Sequence, residues 1–343
     1  MLLHSIRLPT RKYDTKHVTK SSRITPWTGK SDSSSLESFI DLCTERDYEH
    51  RHPSVIETGE AEFLNSYELS SCRFCGSSLI TKEGYSSTGV RRYKCKSCGK
   101  RFTILTNTIF DSRKLPISEW ICFLLDLFGY ASFNMTSKVN RNSSNTTKYW
   151  VKKLFLLLEG IQDDVVLDGK VWLDETFIKV RSEDIETRPD GKEYRGQSRN
   201  QMCIGIACNK VQSVFIFEGN GKTSARKTLE AFSSHIKEGS HLVHDKEAAH
   251  GLLVSMLNLT DESYDSRKLK GIPDKDNPLD RVNDLCDLLQ RFLASHSSFK
   301  RDSLQDYLNL FSVMMNPPTN KYEKVKRILE LSFEKPILMR YRD

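Results

Sequence analysis

A chain of 343 residues, 38% apolar and 28% charged, is long enough for two or three domains and too apolar to be an extended disordered polymer. Its longest apolar stretches, Ile121 to Leu125 and Leu154 to Leu158, are interrupted by Asp126, Lys153 and Glu159. They fall far short of the roughly 20 residues of a membrane span, so a soluble protein is expected. Fifty-two Lys plus Arg against 45 Asp plus Glu leave a net charge of +7, and Ser71 to Phe110, with eight basic residues and Glu83 as its one acid, carries a surplus equal to that of the whole chain.

The first 35 residues hold Arg7, Arg11, Lys12, Lys16, Lys20, Arg23 and Lys30 against Asp14 and Asp32. Pro9, Pro26 and Gly29 break any amphipathic helix there, so a flexible basic arm is expected, with a transit peptide as the other reading. From Ser35 to about Glu49, Leu36, Phe39, Ile40, Leu42 and Cys43 recur at helical spacing behind a serine run suited to capping.

Cys72-x2-Cys75, nineteen intervening residues and Cys95-x2-Cys98 have the spacing of a four-thiolate zinc site, since each pair turns two sulfurs into one tetrahedron. Gly76 and Gly99 follow the pairs, where a tight knuckle calls for positive φ. Four sulfurs leave no open coordination position, so the Zn²⁺ is structural. Nine cysteines, an odd number with no recognisable secretory leader, point to a reducing, cytoplasmic setting rather than a disulfide framework. Arg91, Arg92, Tyr93, Lys94, Lys96, Lys100 and Arg101 interleave cations and an aromatic ring around the knuckles, which suits phosphate contact or a solvated protein-binding module.

The stretches Ile117 to Phe128 and Asn145 to Leu158 both show helical spacing, as a hairpin or a helix-turn-helix. In the second, Trp150, Leu154, Leu157 and Leu158 share one face, and Asn145, Lys148 and Lys152 another. Five basic residues and no acid lie between Ser137 and Lys153. That pattern fits a recognition helix on DNA or an ordinary amphipathic surface helix.

From Val165 the texture changes to strands at Val165 to Arg181, Gln201 to Ala207 and Ser213 to Glu218. A helix at Ser224 to Ile236, a strand at His241 to Asp245 and helices at Glu247 to Leu257 and Pro278 to Leu310 follow, which makes a mixed α/β domain. Asp174 interrupts an apolar strand, where a carboxylate is costly unless a cation compensates it or it faces water. Asp245 ends a strand where a helix begins, as a ligand or as a cap. Two such carboxylates on neighbouring strands suit Mg²⁺, a hard ion that takes oxygen ligands.

In this order the motifs resemble the zinc-ribbon insertion-sequence transposases with an ISXO-like DDE catalytic domain. The resemblance runs from about Ser71 to Phe311. It includes Tyr93 to Phe102, Thr106-Asn107-Thr108-Ile109-Phe110 with Trp120, Trp172-Leu173-Asp174-Glu175-Thr176, Tyr194 to Arg199, His244-Asp245-Lys246-Glu247 and Asn277 to Asn283. It implies a multidomain α/β protein in which a zinc ribbon and helix-turn-helix-like helices precede an RNase H-like mixed-sheet catalytic domain. The expected division is 1–65 arm and short helix, 66–112 ribbon, 113–162 helical DNA-binding segment, 163–318 catalytic domain and 319–343 tail.

The resemblance further implies that Asp174, Asp245 and Asn283 hold two Mg²⁺ ions, with Mn²⁺ an alternative, for phosphodiester hydrolysis and transesterification at the element's terminal inverted repeats. Arg91, Arg92, Lys94, Lys100, Arg101, Lys148, Lys152, Arg195 and Arg199 are the expected contacts to double-stranded element and target DNA. A homo-oligomer is expected, with no membrane and no small-molecule substrate. The family places an acid, or in some branches Asn or His, at the third position with a basic residue seven positions on; here Asn283 is followed by Gln290. Asp284 and Asp287 are the other donors for that position. A non-catalytic zinc-ribbon regulator and a nuclease without strand transfer are the alternative functions.

Overall fold

The structure is a computed structural model describing residues 40, 42–48, 56–113, 115–196, 198–296 and 301–339. The basic arm and the start of the serine-capped helix lie outside the described residues, although residues 40 and 42–48 are helical. Among the described residues no helix is long and apolar enough to cross a membrane.

Helix α1 (Ile56–Asn65) leads into a three-stranded antiparallel sheet, β1 (Ile80–Tyr85), β2 (Arg91–Cys95) and β3 (Arg101–Phe102). Gly76 and Gly99 take φ of +72° and +71° and close the knuckles through N–H donation to Cys72 O and Cys95 O. Three helices follow, α2 (Ile117–Leu127), α3 (Phe133–Val139) and α4 (Ser144–Leu158). The short α3 is absent from the sequence reading; its turn into α4 is sealed by Ser143, whose hydroxyl accepts the Thr146 N–H. Trp120 stacks on Trp150 at 4.5 Å, and Leu154, Leu157 and Leu158 are buried beneath.

The second sheet has five strands in the order β6-β5-β4-β7-β8: β4 (Lys170–Lys179), β5 (Gln201–Cys208), β6 (Ser213–Asn220), β7 (His241–Asp245) and β8 (Thr260–Tyr264). β4, β5 and β6 are antiparallel, and β7 and β8 run parallel to β4 and β7 respectively. β8 carries Thr-Asp-Glu-Ser-Tyr with little apolar content, which is why its sequence does not read as a strand.

The period of two sorts this sheet into two faces. Val171 and Leu173 pack with Ala207, Val214 and Phe232 toward α5 (Ala225–Phe232) and α6 (His250–Met256). Beyond the one-turn α7 (Ser266–Leu269), Trp172, Ile204, Ile206 and Phe215 pack toward α8 (Asp280–Ser295) and α9 (Leu304–Met315). Gly205 lets the α5 face close, because a Cβ there would lie 2.4 Å from a Glu218 oxygen and 2.6 Å from the Phe232 ring. The expected helix from Pro278 to Leu310 is two, α8 and α9.

The free edge of β6 is covered by side-chain amides instead of another strand. Asn316 takes the Ser213 N–H and donates to its carbonyl, Gln162 does the same at Phe215, and Gln305 accepts the Phe217 N–H at 2.9 Å. These groups satisfy backbone donors that otherwise recruit a second chain. Gln162→Leu orphans the buried Phe215 N–H, and a loss of about 2 kcal/mol is expected, measured as a lower urea midpoint at constant m-value.

Residues 319–339, read from sequence as a tail, contain α10 (Lys321–Glu334), which buries Val325, Ile328, Leu329 and Phe333 against the α2 region. Arg73 of the ribbon donates to the Phe333 carbonyl. The segment therefore belongs to the packed body.

Candidate functional site

Register puts the two strand acids side by side. β4 pairs with β7 through Leu173 opposite His244, so Asp174 and Asp245 are the next residue on each parallel strand, at the carboxyl end of β7. Asp174 falls on the α8 face, between Trp172 and Thr176. Both neighbours are tied to the α8 region: Trp172 Nε1 donates to the Pro278 carbonyl at 2.9 Å, and Gln290 Nε2 donates to Thr176 Oγ1 at 2.6 Å. Gln290 thus serves as a strap between helix and strand. Arg281 fastens the helix start by donating to the carbonyls of Asn209 and Lys210.

Asp174, Asp245 and Asn283 line one cavity of about 370 Å³ with Asn277, Ser266, Arg267 and Lys270. Asp284 and Asp287 lie outside that lining and are exposed, and Asp287 is 4.0 Å from Arg291. Asp245 Oδ1 accepts the Glu247 N–H at 3.0 Å and caps a turn, since α6 begins only at His250. Burial pushes the Asp174 carboxyl up to about 7, against its bond from the Glu175 N–H and with the Asp245 charge adding to the rise.

Behind the strand lies a polar layer that the sequence reading missed. Glu175, on the opposite face of β4 from Asp174, accepts from His250 Nε2 at 2.8 Å. His250 Nδ1 is 2.8 Å from His244 Nδ1, and His244 Nε2 is 3.3 Å from Asp261. Burial resists charge on His250, but the Glu175 bond and the Asp245 and Asp174 carboxylates raise it above its ordinary value; burial and the neighbouring His250 lower His244. The consistent arrangement has His250 donating to both Glu175 and His244, and His244 donating to Asp261. Glu218, beside this layer, is pushed up to about 7 by burial, against the Thr223 hydroxyl bond. The only sequence signals for the layer are the adjacency of Glu175 to Asp174 and the His244/His250 spacing. The cations Arg267 and Lys270, beyond the unrecognised β8, had none.

Oxygens of Asp174, Glu175 and Asp245 lie within 4.8 Å of one another, and Asn283 adds an amide oxygen to the cavity wall. A hard-oxygen donor set of this kind fits Mg²⁺ or Mn²⁺. In the ribbon, Cys72 Sγ is 3.7 Å from Cys98 Sγ and Cys75 Sγ 3.6 Å from Cys95 Sγ. Tetrahedral Zn–S bonds of about 2.3 Å require sulfurs about 3.8 Å apart, whereas a disulfide needs about 2.0 Å, so the four thiols fit zinc. The Cys98 and Ser97 N–H groups pull the Cys95 thiol down to about 6.

The expected DNA contacts differ in availability. Arg92, Lys94, Lys100, Lys148, Lys152 and Arg195 are exposed. Arg101 pairs with Glu83 at 2.5 Å and Arg199 with Glu186 at 3.1 Å, and Arg91 lies 3.8 Å from Glu68. Within the basic run on and before α4, Arg141 is committed to Glu45, and Lys153 is buried, donating to the Ile109 carbonyl. Neither is on the exposed Asn145, Lys148, Lys152 stripe.

No protein-family model matches the chain, and no curated protein matches it. Among solved structures, a pre-cleavage Mos1 transpososome is similar at 10% identity over 64% of this chain and 79% of that one, with a TM-score of 0.27. A Mos1 mariner paired-end complex with Mn is similar at 12% identity over 63% and 76%, with a TM-score of 0.25. A simian T-cell lymphotropic virus intasome in complex with PP2A regulatory subunit B56 gamma is similar at 9% identity over 63% and 76%, with a TM-score of 0.30.

Proposed function

We propose that the chain is a transposase that binds the terminal inverted repeats of an insertion sequence through its ribbon and helices, and cuts and joins DNA strands in an RNase H-like domain. The observation that carries this reading is the convergence of Asp174, Asp245 and Asn283 on one cavity from three separate elements, two of them adjacent parallel strands. The strand order β6-β5-β4-β7-β8 supports the same fold reading.

In this reading Asp174 and Asp245 hold divalent cations and Asn283 contributes a neutral carbonyl oxygen. The cations supply Lewis-acid stabilisation of charge on the phosphodiester. The protein's own work is positioning: Trp172 and Gln290 set α8 against β4, the His250–Glu175 pair fills the space behind the acids, and Lys270 offers positive charge to the DNA backbone, Arg267 being paired with Asp265. No protein nucleophile is required. A dimer or larger assembly follows from acting on two element ends.

The test is Mg²⁺-dependent cleavage and strand transfer on a duplex carrying the element's own ends; identical products from wild type and Asp174→Asn refute the assignment. Asn283→Ala is expected to lower cleavage by about 10- to 100-fold, less than loss of either aspartate, because it removes a ligand without a charge. The neutral third donor favours one second reading, a zinc-ribbon DNA-binding regulator. Such a protein binds one zinc per chain and shows no Mg²⁺-dependent thermal stabilisation.

A further inference from the structure

Two further cavities lie beyond the Asp174 cavity, one along β4 and α8 and one along the hairpin that follows β4. Thr176 is tied to Gln290 and Trp172 to Pro278, so the strand and the helix start side by side and run in the same direction. From Asp174 to Lys179 the strand advances about 16 Å, and from Asn283 to Ala294 the helix advances about the same. At that distance lies a cavity of about 350 Å³ whose walls include Phe177, Ile178, Met202 and Leu293, together with Lys179. Lys179 is shared with a third cavity of about 430 Å³, where Lys192 and Arg195 are the other cations and Glu193 is the acid.

The third cavity is held by a fastened hairpin. Asn200, buried at its base, accepts the Glu186 N–H and donates to the Glu186 carbonyl, both at 2.8 Å, while Arg188 and Arg199 lie over the Tyr194 ring at 5.7 and 5.3 Å. Of the other acids of the hairpin, Glu183 pairs with Arg181, Glu186 with Arg199, and Asp190 accepts the Lys192 N–H, while Asp184 lines the middle cavity. Lys179, Lys192 and Arg195 make no ion pair among the described residues. Like charges gathered around one opening repel unless an anion lies between them. The trough thus has Asp174 and Asp245 at one end, a mostly apolar wall with Arg181, Asp184 and Gln290 among it in the middle, and three cations at the other. A base-paired duplex has no use for an apolar middle, because its bases face inward. A strand with exposed bases does.

We infer that this trough seats an unpaired DNA strand flanking the scissile phosphodiester, with a base against the half-buried Phe177 and Ile178 and backbone phosphates on Lys179, Lys192 and Arg195. The inference rests on the proposed function and adds the strandedness of the substrate beside the cut. The experiment measures binding of the full zinc-loaded chain, without Mg²⁺, to a blunt duplex and to the same duplex extended by a short single-stranded tail on either strand. Wild type is expected to prefer one tailed duplex by about 10-fold, the scale of one stacked base.

The double variant Lys179→Ala, Lys192→Ala alters exposed side chains outside the expected duplex contacts. It is expected to lose that preference, to bind the blunt duplex as wild type does, and to lower the log–log salt slope on tailed DNA by about 1.4. Equal wild-type affinity for tailed and blunt DNA overturns the inference, as does a double variant weakened equally on both. A chain that cuts DNA with Mg²⁺ yet shows no tail preference loses this inference alone; failure to cut, with tail preference intact, removes the transposase reading instead.

Discussion

Asp174→Asn is expected to abolish the proposed Mg²⁺-dependent DNA cutting while raising the melting temperature of the cation-free protein at pH 8. The loss in rate is expected to be at least about 10³-fold, or about 4 kcal/mol, because a charged cation ligand is replaced by a neutral one. The stability change has the opposite sign because ionised Asp174 sits in a poorly solvated place beside Asp245. Its folded-state value of about 7 lies above the unfolded one, so the folded chain binds the extra proton, and stability contributed by this group falls as pH rises from about 4 through about 7. Asparagine removes that loss. A gain of about 3–6 °C in chelator at pH 8 is expected, shrinking toward zero by about pH 4. Mg²⁺ stabilises wild type and leaves the variant unchanged. Differential scanning fluorimetry across pH, with and without Mg²⁺, gives all four readings; equal melting temperatures for the two proteins at pH 8 in chelator would show that the Asp174 carboxylate is not under strain.

Removing the zinc that the four thiols fit is expected to collapse the ribbon. Its own core consists of Cys72, Tyr93, Cys95 and Phe102 with Leu69 and Ile80 partly buried against them, far too little apolar surface to offset the ordering of the strands. In comparable small sites metal binding contributes on the order of 10 kcal/mol to folding. Cys95→Ser, or chelation of the wild type, is expected to release one zinc per chain and to expose β1 to β3 to hydrogen exchange. Affinity for duplex DNA falls with them by at least about 10²-fold, since Arg92, Lys94 and Lys100 lose their common scaffold. The five-stranded sheet keeps its cooperative transition, because its core clusters do not draw on the zinc ligands. Retention of DNA affinity after verified zinc loss would move the DNA contacts to α4 alone.

Much of the sheet and both knuckles were legible because their signals are local. A Cys-x2-Cys-Gly turn needs only its own four residues to aim two sulfurs, and Gly76 and Gly99 take the expected positive φ. The apolar run Val171-Trp172-Leu173 declares a strand, with Val171 and Leu173 on its buried face, and His241 to Asp245 appears with the bounds expected. Helix α10 was less legible, since Lys and Glu dominate it and its four buried apolar residues acquire meaning only from the surface they cover.

The sequence alone determined the zinc-ligand spacing, the mixed α/β character and the placing of two acids at strand positions, since each depends on turn chemistry or on a period of two or three to four residues. Only the tertiary structure decided which donor of α8 faces Asp174, because that depends on how the helix is rotated by Trp172 and Gln290. It alone brought His250 under Glu175 and Lys270 to the cavity rim, because pairing between residues 75 or more apart follows from the packing of whole elements and leaves no local trace.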